Sequence, residues 1–202
     1  MIRLRLPAVA LLITIAGGCF SHREHWHIYA LDGPIDVDSP ATVVGARPVL
    51  ALPRVLVPDY LDTTELVIRV GDHEIHESAT ARFAERLSLG VTHALRSDLA
   101  ARLPQYSVAL AQSADGPARE ILVSVDAFDV WRSGRCELVA DWSILDADHR
   151  TLLSAGHGSF TTFAGANSAE GAIVTAMAQA VRQLADRIAS GVATLPPRAA
   201  DR

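Results

Sequence analysis

From Phe83 onward, large apolar residues return at every fourth position: Phe83, Leu87, Val91, Leu95, Leu99 and Leu103. Ala84, Ala94 and Ala101 sit beside them, and Glu85, Arg86, Arg96, Asp98 and Arg102 fall between. That spacing predicts an amphipathic helix over 78–103, stopped by Pro104. Burying six such side chains is worth about 10–15 kcal/mol gross, before entropy, so the stripe is expected to pack on a sheet. A second stripe, Ile173, Met177, Val181, Leu184 and Ile188, predicts a C-terminal helix. Asn167 or Ser168 is placed to cap it, Glu170 falls in its first turn, and Gly191 marks its stop.

Elsewhere the period is two, the signature of strands. In 135–145, Cys136, Leu138, Ala140, Trp142 and Ile144 share one face. In 120–131, Ile121, Val123 and Val125 alternate, and then the phase moves to Phe128 and Val130, which predicts a bulge near Asp126–Ala127. Ser133-Gly134 supplies a hairpin turn between these two segments. Further strands are expected over 27–31, 65–70, 106–112 and 150–163. The 49–57 segment is strand-like, but Pro53 favours an edge or a bulge there. The residues between 32 and 48 are rich in Gly, Pro and Asp and read as a loop. The prediction is an α/β (or α+β) domain: a single mixed sheet packed by a long central helix and a C-terminal helix.

The first residues follow a different logic. Arg3 and Arg5 precede an unbroken apolar run, 8–16, and Gly17, Gly18 and Cys19 come next. This is the layout of a bacterial secretory signal, and its apolar run falls short of the roughly 20 residues a spanning helix needs. A cysteine directly after two small residues is the acceptor of a lipoprotein anchor. The expectation is cleavage before Cys19 and lipidation of its thiol, which holds the domain at a membrane surface. Phe20 rather than Asp follows the cysteine, and by the enteric sorting rule that sends the protein to the outer membrane, facing the periplasm. The expected organisation is thus a signal peptide at 1–18, a tether at 19–26, one domain at 27–193 and a disordered polar tail at 194–202.

Charge narrows the functions further. The net charge is −5, every basic residue is an arginine, and no basic stripe is interleaved with aromatics. Nucleic-acid binding is not expected. With Cys19 lipidated, Cys136 is the one remaining thiol, so no internal disulfide can form. Its alternating context predicts a small buried core residue, and Trp131 and Trp142 read as core or interface anchors.

Little in the sequence carries catalytic chemistry. Gly156-His157-Gly158-Ser159-Phe160 lies in a strand pattern and lacks the second glycine of a hydrolase elbow. His22, His25 and His27 have a spacing that would suit zinc or copper. The run has only Glu24 as a carboxylate, and a hydrated tether is the simpler expectation. His73 and His76, with Glu74 and Glu77, read as a solvated turn. No catalytic residue, resident metal or cofactor is expected.

Several segments together resemble a known family. Tyr29-Ala30-Leu31 follows the lipidation signal, and then come Val55-Leu56-Val57-Pro58-Asp59-Tyr60-Leu61-Asp62, Leu66-Val67-Ile68-Arg69 and Arg82-Phe83-Ala84-Glu85-Arg86-Leu87. The ordered set is similar to the ABC-type transport auxiliary lipoproteins of the paraquat-inducible protein C or YmbA type. Their pattern is Pro-x-Tyr-Leu-Asp, a hydrophobic stretch ending in Arg, and a helix start Arg-Trp-Ala-Glu-Pro-Leu. Phe83 stands where Trp is usual, Arg86 where Pro is usual, and Thr63 where a basic residue is common.

The resemblance implies an adaptor rather than an enzyme. Such lipoproteins work with an inner-membrane ABC transporter and a periplasmic MCE-family protein that forms a lipid conduit, which they receive at the outer membrane. The ATPase is a separate subunit. A ring-shaped partner would accommodate a symmetric homo-oligomer. Tyr60 and Leu61, apolar residues in a polar turn, are the expected contacts for that partner. Two alternatives remain at this point: an outer-membrane assembly lipoprotein without MCE partners, and a metal-binding lipoprotein using the His run.

Overall fold

The long strands gather beneath one helix-covered face. The computed structural model describes residues 26–33, 47–110 and 116–196. In chain order the elements are β1 (His27–Tyr29), β2 (Val49–Leu52), β3 (Glu65–Arg69), β4 (Ile75–Phe83), α1 (Leu87–Arg102), β5 (Ser107–Leu110), β6 (Arg119–Val130), β7 (Arg135–Asp146), β8 (Leu152–Phe163) and α2 (Glu170–Ala193).

The strands form two sheets, β5-β2-β6-β7-β8 and β1-β4-β3. The mixed α/β class is as expected, but the single sheet is corrected to two. The reason lies at the junction. Arg69 of β3 makes only an isolated parallel bridge to Trp131, beyond the end of β6. An ion pair of 2.9 Å from Arg69 to Asp129 then joins the sheets through side chains.

Alternation places the core. Ile121, Val123 and Val125 of β6 and Cys136, Leu138, Ala140, Trp142 and Ile144 of β7 are all buried. The register between these strands shifts between Val125 and Ala127, so the predicted bulge is present. It carries Phe128 and Val130 back to the core face, where both are buried. Helix α2 lays Ile173, Met177, Val181, Leu184 and Ile188 onto this face, and α1 adds Leu87, Val91, Leu95 and Leu99.

The glycines of β8 follow from the same packing. Gly156 lies opposite Trp142 in the ladder, and a Cβ there would sit 2.3 Å from the indole Cζ2. The indole occupies the space that any other residue at 156 would need.

Four sequence expectations are corrected. Residues 78–83 belong to β4, not to the central helix, which begins at Leu87. They are hydrogen-bonded on both sides, parallel to β1 and antiparallel to β3, and a helix there would strand both partners. Ala81 and Phe83 point inward with period two, so Phe83 joined the four-residue series by coincidence. Next, β2 is neither edge nor bulge: it lies between β5 and β6 and stops before Pro53. Proline lacks the N–H that a further ladder bond would use.

The N-cap of α2 is Ala169, without a side-chain cap bond. Asn167 takes up a left-handed φ of 52° instead, and the Ser168 hydroxyl donates backward to the Ala164 and Gly165 carbonyls. Finally, α2 runs past Gly191 to Ala193, because Val192 still buries against the core.

Candidate docking surface

Two neighbouring stretches, 53–56 and 58–64, leave apolar side chains in solvent. Beyond Pro53 the chain continues beside β6: the Leu56 N–H donates to Val123 O at 3.1 Å, and Val125 N–H donates to Leu56 O at 2.8 Å. This leaves Leu56 66% exposed, with Leu122 of β6 40% exposed. Pro53, Leu56, Leu122 and Trp142 line a shallow groove of about 280 Å³, with Arg54 and Asp141 at its rim.

The second stretch is a helical turn. Leu61 N–H and Asp62 N–H both donate to Pro58 O, at 2.9 and 3.2 Å. In such a turn adjacent side chains diverge by about 100°, so Tyr60 and Leu61 cannot both face outward. Tyr60 is 44% exposed, whereas Leu61 is buried in the core. The expectation that both contact a partner is therefore corrected: Leu61 is a core residue, and Tyr60 alone is presented. Tyr60 also lies against Arg69, whose guanidinium is held charged chiefly by the bond to Asp129, with Tyr60 adding to it.

Asp62 explains why the turn is rigid. Helix α1 starts after Arg86, whose side chain caps nothing. Asp62 Oδ1 accepts the Ser88 N–H at 3.2 Å, and Thr63 O accepts the Leu87 N–H at 3.1 Å. These satisfy two of the amides that a helix N-terminus leaves open. Arg54 and Arg86 flank the carboxylate at 3.1 and 3.7 Å. Burial pushes the Asp62 carboxyl up, but the Ser88 bonds and the two guanidiniums outweigh it and hold it below the usual carboxylate range.

Cys19, His22 and His25 lie outside the described residues. His27 is exposed on β1. His76 pairs with Glu74 at 2.9 Å on the surface. Ser159 donates to Glu137 Oε1 at 3.0 Å, while His157 pairs with Asp141, so no serine–histidine pair forms on that strand. Burial pushes the Cys136 thiol up to about 12, which removes it as a nucleophile. Among the described residues, no helix is long and apolar enough to cross a membrane.

The model of the family described as "ABC-type transport auxiliary lipoprotein component" matches residues 29–189. The chain belongs to the ABC-type transport auxiliary lipoprotein family. That is a family of transport components rather than of enzymes. Comparison with curated proteins gives no match. Among solved structures, an uncharacterized protein is similar at 20% identity and a TM-score of 0.69, covering 84% of this chain and 99% of its own. Protein XCC0632 from Xanthomonas campestris is similar at 14% identity and a TM-score of 0.59, covering 80% and 92%. At these identities the likeness establishes the fold.

The motifs that mark this auxiliary lipoprotein meet at one junction. Ala84 N–H donates to Tyr29 O at 2.8 Å, and Phe83 N–H donates to Thr64 O at 2.6 Å. Asp62 pairs with Arg86, and Glu65 faces Arg82 at 3.6 Å. The segments quoted from the sequence are thus mostly scaffold for the turn and the start of α1. Sequence reasoning missed the capping role of Asp62 and the groove at Leu56 and Leu122. The one available signal for the groove was that Leu122 is apolar on the polar phase of β6.

Proposed function

We propose that this auxiliary lipoprotein is anchored by acyl chains on Cys19 at the periplasmic face of the outer membrane. There it receives the MCE-family conduit of an ABC-type lipid transport system. It acts by binding, and ATP hydrolysis belongs to a separate subunit. Family membership over 29–189 carries the reading. Tyr60 supports it, as an aromatic held outward on a turn that is braced on both sides. Aromatic side chains on rigid supports lose little entropy on docking. A two-chain anchor would also hold the domain near its partner and raise the effective concentration.

The test has two parts. Mass spectrometry of the native protein should find diacylglyceryl-modified Cys19 as the N-terminal residue. A photo-crosslinking amino acid at position 60, in cells co-expressing the MCE-family protein of the same genome, should yield an adduct of the two. An unmodified Cys19 with the leader still attached would remove the anchor. A correctly lipidated protein that forms no MCE adduct from position 60 would remove the docking role.

A further inference from the structure

The outer face of the large sheet carries a mixed donor cluster that the transport reading does not use. Asp126, Asp141 and His157 come from β6, β7 and β8, three adjacent strands, and their ligand atoms all lie within 4.8 Å of one another. Asp141 and His157 are direct ladder partners, with Nδ1 and Oδ1 2.9 Å apart. Asp126 arrives through the bulge. It is the residue skipped where the register shifts between Val125 and Ala127, so it has no partner of its own across the ladder. Bulges recur where a side chain is re-aimed.

Neighbouring acids on the same two strands are neutralised by arginine: Asp129 by Arg69 and Glu137 by Arg135. Among the described residues, neither Asp126 nor Asp141 has an arginine within ion-pair distance; Asp141 pairs with His157 alone. Two carboxylates this close repel each other, and a cation bound between them would offset that. Asp141 also lines the apolar groove, a wall that strengthens attraction to a cation on its side.

We infer that Asp126, Asp141 and His157 form a three-ligand site for a divalent transition cation of the zinc class. The donor set decides the class. One imidazole nitrogen with two carboxylate oxygens suits zinc, whereas magnesium and calcium take oxygen donors. Three protein ligands leave a further position open to water or to a donor from another molecule. The site is independent of the transport reading.

Zinc titration of the full lipidated protein in detergent tests it, with His22 and His25 changed to Gln throughout so that the tether imidazoles do not contribute. One equivalent should bind, with a dissociation constant on the order of micromolar. Asp126→Asn, Asp141→Asn and His157→Gln should each weaken it by at least about tenfold, with unchanged circular dichroism, and millimolar magnesium should not compete. Cobalt should broaden the His157 imidazole resonances in the unsubstituted site, a readout that does not depend on any variant folding. Equal zinc affinity in all three variants, or no binding below roughly 1 mM, would overturn the assignment, as would cobalt broadening confined to other histidines.

Discussion

Asp62 Oδ1 accepts the backbone N–H of Ser88, 26 positions further along the chain. A residue of the exposed turn thereby does for α1 what an N-cap side chain usually does from the adjoining position. Removing it should cost about what a lost cap costs. Asp62→Ala is expected to destabilise the domain by about 1 kcal/mol, read as a lower urea midpoint at unchanged slope. An unaltered midpoint would show that the bond is dispensable.

The same carboxylate gives a pH dependence whose sign is fixed. Its folded value lies below its ordinary one of 3.8, so the folded state favours the charged form. The stabilisation is present above the unfolded value and is lost as pH falls through the folded one. The stability gap between the native protein and Asp62→Asn should therefore be full at pH 7 and shrink below about pH 4. Chemical denaturation at pH 7, 4 and 2.5 reads it out. A gap that widens on acidification would contradict the assignment.

Tyr60 and Leu61 should separate cleanly despite being adjacent. Leu61→Ala empties a buried site and is expected to cost about 2–5 kcal/mol. Tyr60→Ala removes an exposed ring and should cost no more than about 1 kcal/mol. Thermal melts of the two variants decide the matter. Partner binding is best probed with Tyr60→Ala, because a loss of binding in Leu61→Ala would report unfolding.

Gly156→Ala should be costly for so small a change. The new methyl would meet the Trp142 ring at 2.3 Å, and overpacking a buried contact costs about 1–3 kcal/mol. Combining it with Trp142→Leu should give less than the sum of the two losses. Strict additivity would mean that the clash is relieved elsewhere.

Cys136 should be silent to alkylation. With its thiol at about 12, the thiolate fraction at pH 8 is on the order of one in ten thousand. Iodoacetamide should label it only in denaturant. Rapid labelling of the native protein would expose a local opening of β7.

The large sheet and both helix stripes were legible because period and burial agree there. The bulge was legible as a change of phase between Val125 and Phe128. The helix start was misplaced because the series from Phe83 continues the four-residue spacing across a strand–helix boundary. Only tertiary pairing, with β1 on one side and β3 on the other, separates the two. The Tyr60–Leu61 turn was half legible. Its apolar character shows in the sequence, but which of two neighbours points outward is set by the turn's own hydrogen bonds. The donor cluster of Asp126, Asp141 and His157 was invisible, since its members meet only through the ladder.

Arg69 carries a mechanical consequence. It belongs to the small sheet, bonds Asp129 and bridges to Trp131 of the large one, and touches the Tyr60 turn. Any load taken up at that turn reaches both sheets, through Arg69 and through the core they share. Whatever binds at that turn would lean on the whole body of the domain, not on a pliable loop.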